Sequence, residues 1–276
     1  MPDPAGRRGP KIIAIANQKG GVGKTTTTIN LGAALAQEGF RVLLVDLDPQ
    51  GNASTGLGIE PEERDLNVYD LLVGEADLKD IIRETGTERL HIVPATTDLS
   101  SADAELMASK KRSFLLHDAL RQPSVREVDP DFILIDCPPS LNLLTINAMV
   151  AADSLLVPLQ SEFFALEGLS QLMLTKRDVA RAAGRNLRYE GIVLTMYDSR
   201  NRLSRQVEAD ARENLGDLVF RTVIPRNVRV SEAPSFGMPV LEYDPNSKGS
   251  KAYRALAREL AERNNRKLRE REAANG

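Results

Sequence analysis

The run Lys19-Gly20-Gly21-Val22-Gly23-Lys24-Thr25-Thr26 concentrates the residue types that hold a polyphosphate. Glycines let a backbone curl until several N–H groups point inward at phosphate oxygens. A helix opening at the last glycine adds the positive end of its dipole. In such a loop Lys24 is placed to reach the terminal phosphates, and the Thr25 hydroxyl to ligate Mg²⁺. The flanking residues supply the context this chemistry needs: Ile12 to Ala16 is a β-type apolar run, and Lys24 to Glu38 is compatible with a helix stopped by Gly39. A loop with this many glycines at a helix start is costly unless it binds something, because glycine disfavours helix.

Two further segments bring carboxylates. Val42 to Val45 leads into Asp46-Leu47-Asp48-Pro49-Gln50-Gly51-Asn52, and Phe132-Ile133-Leu134-Ile135 leads into Asp136. The C-terminal ends of buried strands are where α/β sheets bind ligands. Positions 46 and 48 share one side of their strand, since side chains alternate with period two. An acid closing an apolar strand beside a phosphate loop suits a place near Mg²⁺, commonly through a water, and Asp136 fits it. Asp46 has two readings, as support for the metal shell or as a cap on the turn. Cys137 reads as a small packing residue. His91 and His117 lie in no ligand-spaced cluster.

The elements that must hold these residues follow from the pattern of apolar runs. Strands are expected at Ile12–Ala16, Arg41–Leu47, Leu90–Val93, Phe132–Ile135, Ser154–Leu159 and Gly191–Met196, and helices at Lys24–Glu38, Ala165–Ala183, Arg205–Asn214 and Lys251–Glu272. The strand runs are continuously apolar, which marks strands buried on both faces. Alternating strand and helix then predict one α/β domain with a mostly parallel sheet and helices on both faces. It spans residues 11–264, between a polar tail at 1–10 and a charged tail at 265–276. Tyr253, Leu256, Ala257 and Leu260 give the last helix an apolar stripe to lay on the sheet.

Composition narrows the function. With 42% hydrophobic and 27% charged residues the 276-residue chain can build a sizeable core and a wet surface. One cysteine permits neither an internal disulfide nor a zinc or iron–sulfur site of its own, and points to a reducing cytoplasm. No run approaches ~18 apolar residues, and residues 1–10 lack the apolar region of a signal peptide. The net charge of −3 is uneven: residues 1–175 carry 15 Lys+Arg against 25 Asp+Glu, and residues 176–276 carry 21 against 14. A basic last third on an acidic chain suits a local anionic partner, although solvated helix faces give the same imbalance.

The strict phosphate-loop pattern has glycine at position 18. Here Gln18 stands there and Lys19 follows, a second lysine at the loop's start. In this the chain resembles the deviant Walker A ATPases, the MinD/ParA class of P-loop NTPases. Five further segments resemble the chromosomal ParA/Soj group: Ala16-Asn17-Gln18-Lys19, Asp46 to Asn52, Asp136-Cys137-Pro138-Pro139-Ser140, Leu194-Thr195-Met196-Tyr197-Asp198 and Ile224-Pro225-Arg226-Asn227-Val228-Arg229, the last continuing to Ser235. The likeness runs from about Lys11 to about Ala261.

The resemblance implies ATP with Mg²⁺, held by Lys19, Gly20, Gly21, Val22, Gly23, Lys24, Thr25 and Thr26. Thr25, Asp46 and Asp136 would serve the metal, and Met196, Pro225, Arg226 and Asn227 the adenosine end. It implies a homodimer in the ATP state, with Lys19 reaching the partner subunit's nucleotide, and Asp48 orienting the attacking water. Lys19, Lys24 and Asp48 are thus the expected catalytic set. Arg200 and Arg229 match arginines that bind double-stranded DNA without sequence preference. A ParB/Spo0J-type protein would stimulate an otherwise weak hydrolysis, and the protein would be cytoplasmic and nucleoid-associated.

The rival reading within the class is a MinD-like membrane-cycling ATPase. It needs an amphipathic tip with bulky apolar residues, and Leu268 is the only such residue in 264–276. Stable membrane association is therefore not expected. A shared iron–sulfur cluster needs two cysteines per subunit, which the single Cys137 does not supply. A non-hydrolysing scaffold sits poorly with the complete set of Lys24, Thr25, Asp48 and Asp136.

Overall fold

A computed structural model describes residues 9–106, 111–162 and 165–266. Seven strands form one sheet: β1 (Lys11–Ile15), β2 (Val42–Asp46), β3 (Arg83–Glu84), β4 (Leu90–Val93), β5 (Phe132–Asp136), β6 (Ser154–Gln160) and β7 (Arg188–Thr195), in the order β3-β4-β2-β5-β1-β6-β7. Every pairing is parallel except that of the two-residue β3 with β4. The four central strands read apolar throughout because neither face meets water.

Alternate residues of each strand feed two separate cores. Ile12, Ala14, Leu43, Val45, Ile133 and Ile135 point to one face, and Ile13, Ile15, Val42, Leu44, Phe132 and Leu134 to the other. Helices α1 (Lys24–Gln37), α2 (Asn52–Gly56), α3 (Leu143–Ala151), α4 (Ala165–Ala182), α5 (Arg202–Leu215), α6 (Val228–Glu232) and α7 (Lys248–Arg263) divide accordingly. Helix α1 and the stripe Tyr253, Leu256, Ala257 and Leu260 of α7 cover the second face. Leu144, Ala148 and Met149 of α3, with Leu169 and Leu172 of α4 and Val207 and Ala211 of α5, cover the first.

The expected elements are present, with shifted ends. Helix α5 begins at Arg202 rather than Arg205 because Asn201 caps it, its side chain accepting from the Leu203 N–H. The last helix begins at Lys248 on the Ser247 cap. It does not run to Glu272 as the charge pattern suggested. It ends at Arg263, where the Asn264 amide donates to Glu190 Oε1 and Asn265 turns left-handed (φ 49°), a common way for asparagine to close a helix. Residues 1–8 and 267–276, most of the two expected tails, lie outside the described residues.

The α7 stripe is a load on one face that substitution can weigh. Leu256 is fully buried between α7 and the sheet, whereas Leu174 on α4 is 45% exposed. Leu256→Ala should lower unfolding free energy by about 2–5 kcal/mol, and Leu174→Ala by less than about 0.5 kcal/mol. Urea titrations of both variants in the absence of nucleotide measure the contrast.

Candidate functional site

The phosphate loop joins the end of β1 to α1, at the C-terminal edge of the sheet. Gly21 (φ 72°) and Gly23 (φ 85°) take the left-handed backbone that side chains resist, so the loop can double back and enter α1 with Gly23 as its N-cap. The first-turn N–H groups of Lys24, Thr25 and Thr26 have no acceptor within the helix and face the loop's hollow. Two bonds fasten the loop to the sheet, Asn17 Nδ2 donating to Pro158 O (2.7 Å) and Thr195 Oγ1 to Val22 O (2.8 Å), and the Lys19 N–H donates within the loop to Asn17 Oδ1 (3.1 Å). Gln18 Nε2, at the position where the strict pattern has glycine, is buried without a hydrogen-bond partner.

A cavity of about 540 Å³ opens over this loop. Gly20, Gly21, Gly23, Lys24, Thr25 and Thr26 form its floor, Asp48 and Gln50 one wall, Pro138 to Ser140 another, and Met196 a side. Lys24 is buried, and its Nζ donates to Lys19 O (3.2 Å) across the loop. Burial lowers its pKa, and the charge of Asp136 opposes that fall.

Behind the loop, β2 and β5 are adjacent and in register, so Asp46 lies directly beside Asp136. Both carboxylates are fully buried. Burial first, and then the neighbouring negative charge, pushes Asp136 up to about 8. Burial likewise raises Asp46 to about 6 against the pull of its Ser54 hydrogen bonds. The Asp46 oxygens are taken by protein donors: Oδ2 accepts from Ser54 N (2.9 Å) and Ser54 Oγ (2.8 Å), and Oδ1 from the Asp48 N–H (3.2 Å). Three of the four lone-pair sites of Asp46 are thereby engaged within the protein, as in a cap on the turn, and one on Oδ1 is left. Asp48, by contrast, lies on the cavity wall, its Oδ1 accepting from the Gln50 N–H (3.0 Å).

Asp136 is suited to a cation. Its Oδ1 accepts from Thr28 Oγ1 (3.0 Å), while its buried Oδ2 has no hydrogen bond of ordinary geometry. A buried carboxylate oxygen left unpaired is expensive unless a cation or donor meets it. Among the described residues no three His, Cys, Asp or Glu side chains converge as a metal cage. That suits Mg²⁺, which uses one or two protein oxygens and fills its octahedron with phosphates and water. Thr25 and Asp136 would hold it beside the phosphate loop.

Other expected site residues fall elsewhere. Lys19 pairs with Glu162 of its own chain (Nζ–Oε2 2.7 Å), both side chains nearly half exposed. Arg226 lines a neighbouring cavity of about 470 Å³ that shares Met196 with the first. Pro225 bridges to Tyr197, and Asn227 caps α6 by accepting from the Arg229 N–H. Arg200 is 89% exposed and forked onto Asp198, with Nε–Oδ1 and Nη2–Oδ2 both at 3.1 Å. Arg229 pairs with Glu232 (2.9 Å) and Asp244 (3.5 Å). Ser54, Thr28, Ser100 and Asn142 also belong to the site or its support; an isolated hydroxyl or amide carries no spacing signal that would have singled them out.

A Gly-rich loop at the head of α1, a cation at its centre and an unpaired buried carboxylate on the adjacent strand define a P-loop nucleotide-binding ATPase of the deviant Walker A kind. Residues 10–189 match the family model described as an AAA domain. The chain is 57% identical over 254 residues to the chromosome partitioning protein ParA of Caulobacter vibrioides, covering 92% of this chain and 94% of that one. It is 54% identical over 251 residues to the sporulation initiation inhibitor protein Soj of Bacillus subtilis, covering 91% and 98%. Among solved structures, cobyrinic acid a,c-diamide synthase of Mycobacterium smegmatis with bound ADP and magnesium superposes with a TM-score of 0.80 at 37% identity, covering 94% and 98%. The chain belongs to the ParA/Soj family of chromosome-partitioning ATPases.

The buried acid pair generates a test. An acid whose folded pKa lies above its unfolded value binds more protons in the fold, so nucleotide-free stability should fall as pH rises from about 4 to about 8, and then level off. Asp136→Asn keeps an acceptor for Thr28 and removes the ionisable group. The nucleotide-free variant should gain thermal stability at pH 8, lose most of the fall with pH, and lose the Mg²⁺-dependent tightening of ATP. Calorimetric scans across pH, with ATP titrations with and without Mg²⁺, measure all three.

Proposed function

We propose that this chain is an ATP-dependent dimerising switch that binds DNA without sequence preference and acts in chromosome partitioning. Lys24 and the first-turn N–H groups of α1 bind the phosphates, and Thr25 and Asp136 hold Mg²⁺. When bound, the ion neutralises charge that develops on the transferring phosphoryl oxygens. Asp48, on the cavity wall opposite Lys24, orients the water that attacks the terminal phosphate. ADP and phosphate are the products. Met196 borders the nucleotide, and the Pro225–Asn227 segment lies beyond it toward the adenine.

The observation that carries the dimer is Lys19. Its ammonium is at the exposed rim of the site and is bound to Glu162, whereas Lys24 already occupies the centre of the loop. A second lysine that does not enter its own loop is available to the nucleotide of a second subunit. An exposed ion pair is worth at most about 1 kcal/mol, so releasing Lys19 from Glu162 is a small barrier to dimerisation. The same holds for Arg200 and Arg229, which can exchange Asp198 and Glu232 for DNA phosphates. A ParB-type partner would complete the water-orienting geometry, leaving hydrolysis slow in its absence.

The deciding experiment is retention on non-specific duplex DNA with ATP or ADP across a salt series. ATP-dependent retention that weakens steeply with salt is expected. Replacing Arg200 and Arg229 by Ala should reduce the salt slope by about one per lost phosphate contact and leave ATP-dependent dimerisation unchanged. Lys19→Ala should abolish that dimerisation while ADP still binds. Capture of the ATP form by anionic liposomes with no retention on DNA would instead favour the MinD-like cycle; no helix of the described residues is long and apolar enough to cross a membrane.

A further inference from the structure

We propose that Arg64 is a positioning residue for hydrolysis, fixing the turn that presents Asp48; this rests on the reading of Asp48 as the water-orienting carboxylate. Arg64 lies outside every motif that identified the site. It is 8% exposed, and among the described residues no carboxylate pairs with it. Its guanidinium instead reaches neutral acceptors of three segments. Nε and Nη2 both donate to Ile59 O, Nη2 also to Thr55 Oγ1 (2.9 Å), and Nη1 to Ala95 O (3.4 Å).

Those acceptors surround the Asp48 turn. Asp48-Pro49-Gln50-Gly51 closes through the Gly51 N–H to Asp48 O (2.9 Å), with proline second and glycine last, as a type I turn prefers. Gly51 has φ 61° and is the N-cap of α2. A Cβ there would lie 2.7 Å from Arg64 Nη1 and 3.0 Å from Ala95 O, so the turn rests against the guanidinium. Ala95 is held on both sides, its N–H donating to Ser54 Oγ (3.1 Å) and its carbonyl accepting from Arg64. Ser54 in turn binds Asp46. Arg64 thereby ties the end of β4 to α2, and α2 to the turn that carries Asp48. The planar fork suits several acceptors fixed in different directions, which an ammonium meets less completely. Burial of an arginine with no counterion among the described residues costs stability, and a hydrolytic turn that must not drift is a reason to bear that cost.

The test is single-turnover hydrolysis with the full-length protein in excess over ATP, alongside ATP affinity. Arg64→Ala should slow hydrolysis about 10- to 100-fold, the scale of a 1 Å misplacement, while ATP affinity stays within about twofold. Arg64→Lys should recover part of the rate, and Arg64→Met, similar in volume but without donors, should not. In the Asp48→Ala background Arg64→Ala should add no further loss, because both act through one group. A wild-type rate for Arg64→Ala or Arg64→Met overturns the proposal, as does a loss that multiplies with that of Asp48→Ala. If Arg64→Ala does not fold, the Lys and Met variants decide. A wild-type rate for Asp48→Ala alone removes the underlying reading of Asp48, and the proposal with it, by a result that does not involve Arg64.

Discussion

Two carboxylates in register on adjacent buried strands set the terms for the rest of this molecule. Asp46 and Asp136 sit side by side with no solvent to screen them. Burial raises the pKa of both acids, and the charge of Asp46 adds to the rise at Asp136. The surrounding structure answers each acid differently. Asp46 receives three protein donors from Ser54 and Asp48, which turns it into the keystone of the loop after β2. Asp136 receives Thr28 on Oδ1, and its Oδ2 has no hydrogen bond of ordinary geometry. The asymmetry separates the two acids: one is bonded into the turn after β2, and the other keeps an oxygen suited to a cation. It also explains why Thr28, one turn into α1, must face the sheet, and hence how α1 is rotated about its axis.

The strand order makes this arrangement possible. Crossing from β1 to β2 requires passing over β5, so β5 is inserted between the first two strands of the chain. The loop following β1 and the turn following β2 thereby flank the end of β5, and the floor, the wall and the buried acid beneath one cavity come from three neighbouring strands. β6 and β7 extend the sheet beyond β1 and clamp the loop from the far side, through Pro158 and Thr195.

What the sequence disclosed divides along the range of the interactions involved. Local signals were read well. The glycines of the loop, the apolar strands and the acids at their ends are each encoded within a few residues, and the strands and principal helices lie where the pattern put them. Helix ends were read less well, because Asn201, Ser247 and Asn265 act through single caps that a periodicity does not register. The hydrogen bonds of Asp46 to Ser54 leave no trace in residues 46–52, since Ser54 lies on the following helix. Arg64 was illegible for the same reason: its acceptors at 55, 59 and 95 converge only through tertiary packing. The short turns between β2 and β5 likewise gave no periodic signal, yet they supply Ser100 to the cavity wall.

The distribution of ionic contacts bears on how such a molecule can switch. The groups that the proposed cycle must move, Lys19, Arg200 and Arg229, are all exposed and are all paired with carboxylates of their own chain. Pairs of this kind contribute little to stability and are screened by salt. Exchanging a carboxylate for a phosphate therefore leaves the fold nearly indifferent, while the charge-assisted fork of an arginine is retained in either state. The groups that must not move, Asp46, Asp136, Lys24 and Arg64, are buried and bonded to backbone or neighbouring side chains, where loss of one partner leaves another stranded. A partitioning ATPase needs both properties in one domain of this size. Here they are separated by depth: a rigid acid-lined site within the sheet's edge, and a rim of weak ion pairs whose partners can be exchanged without disturbing it.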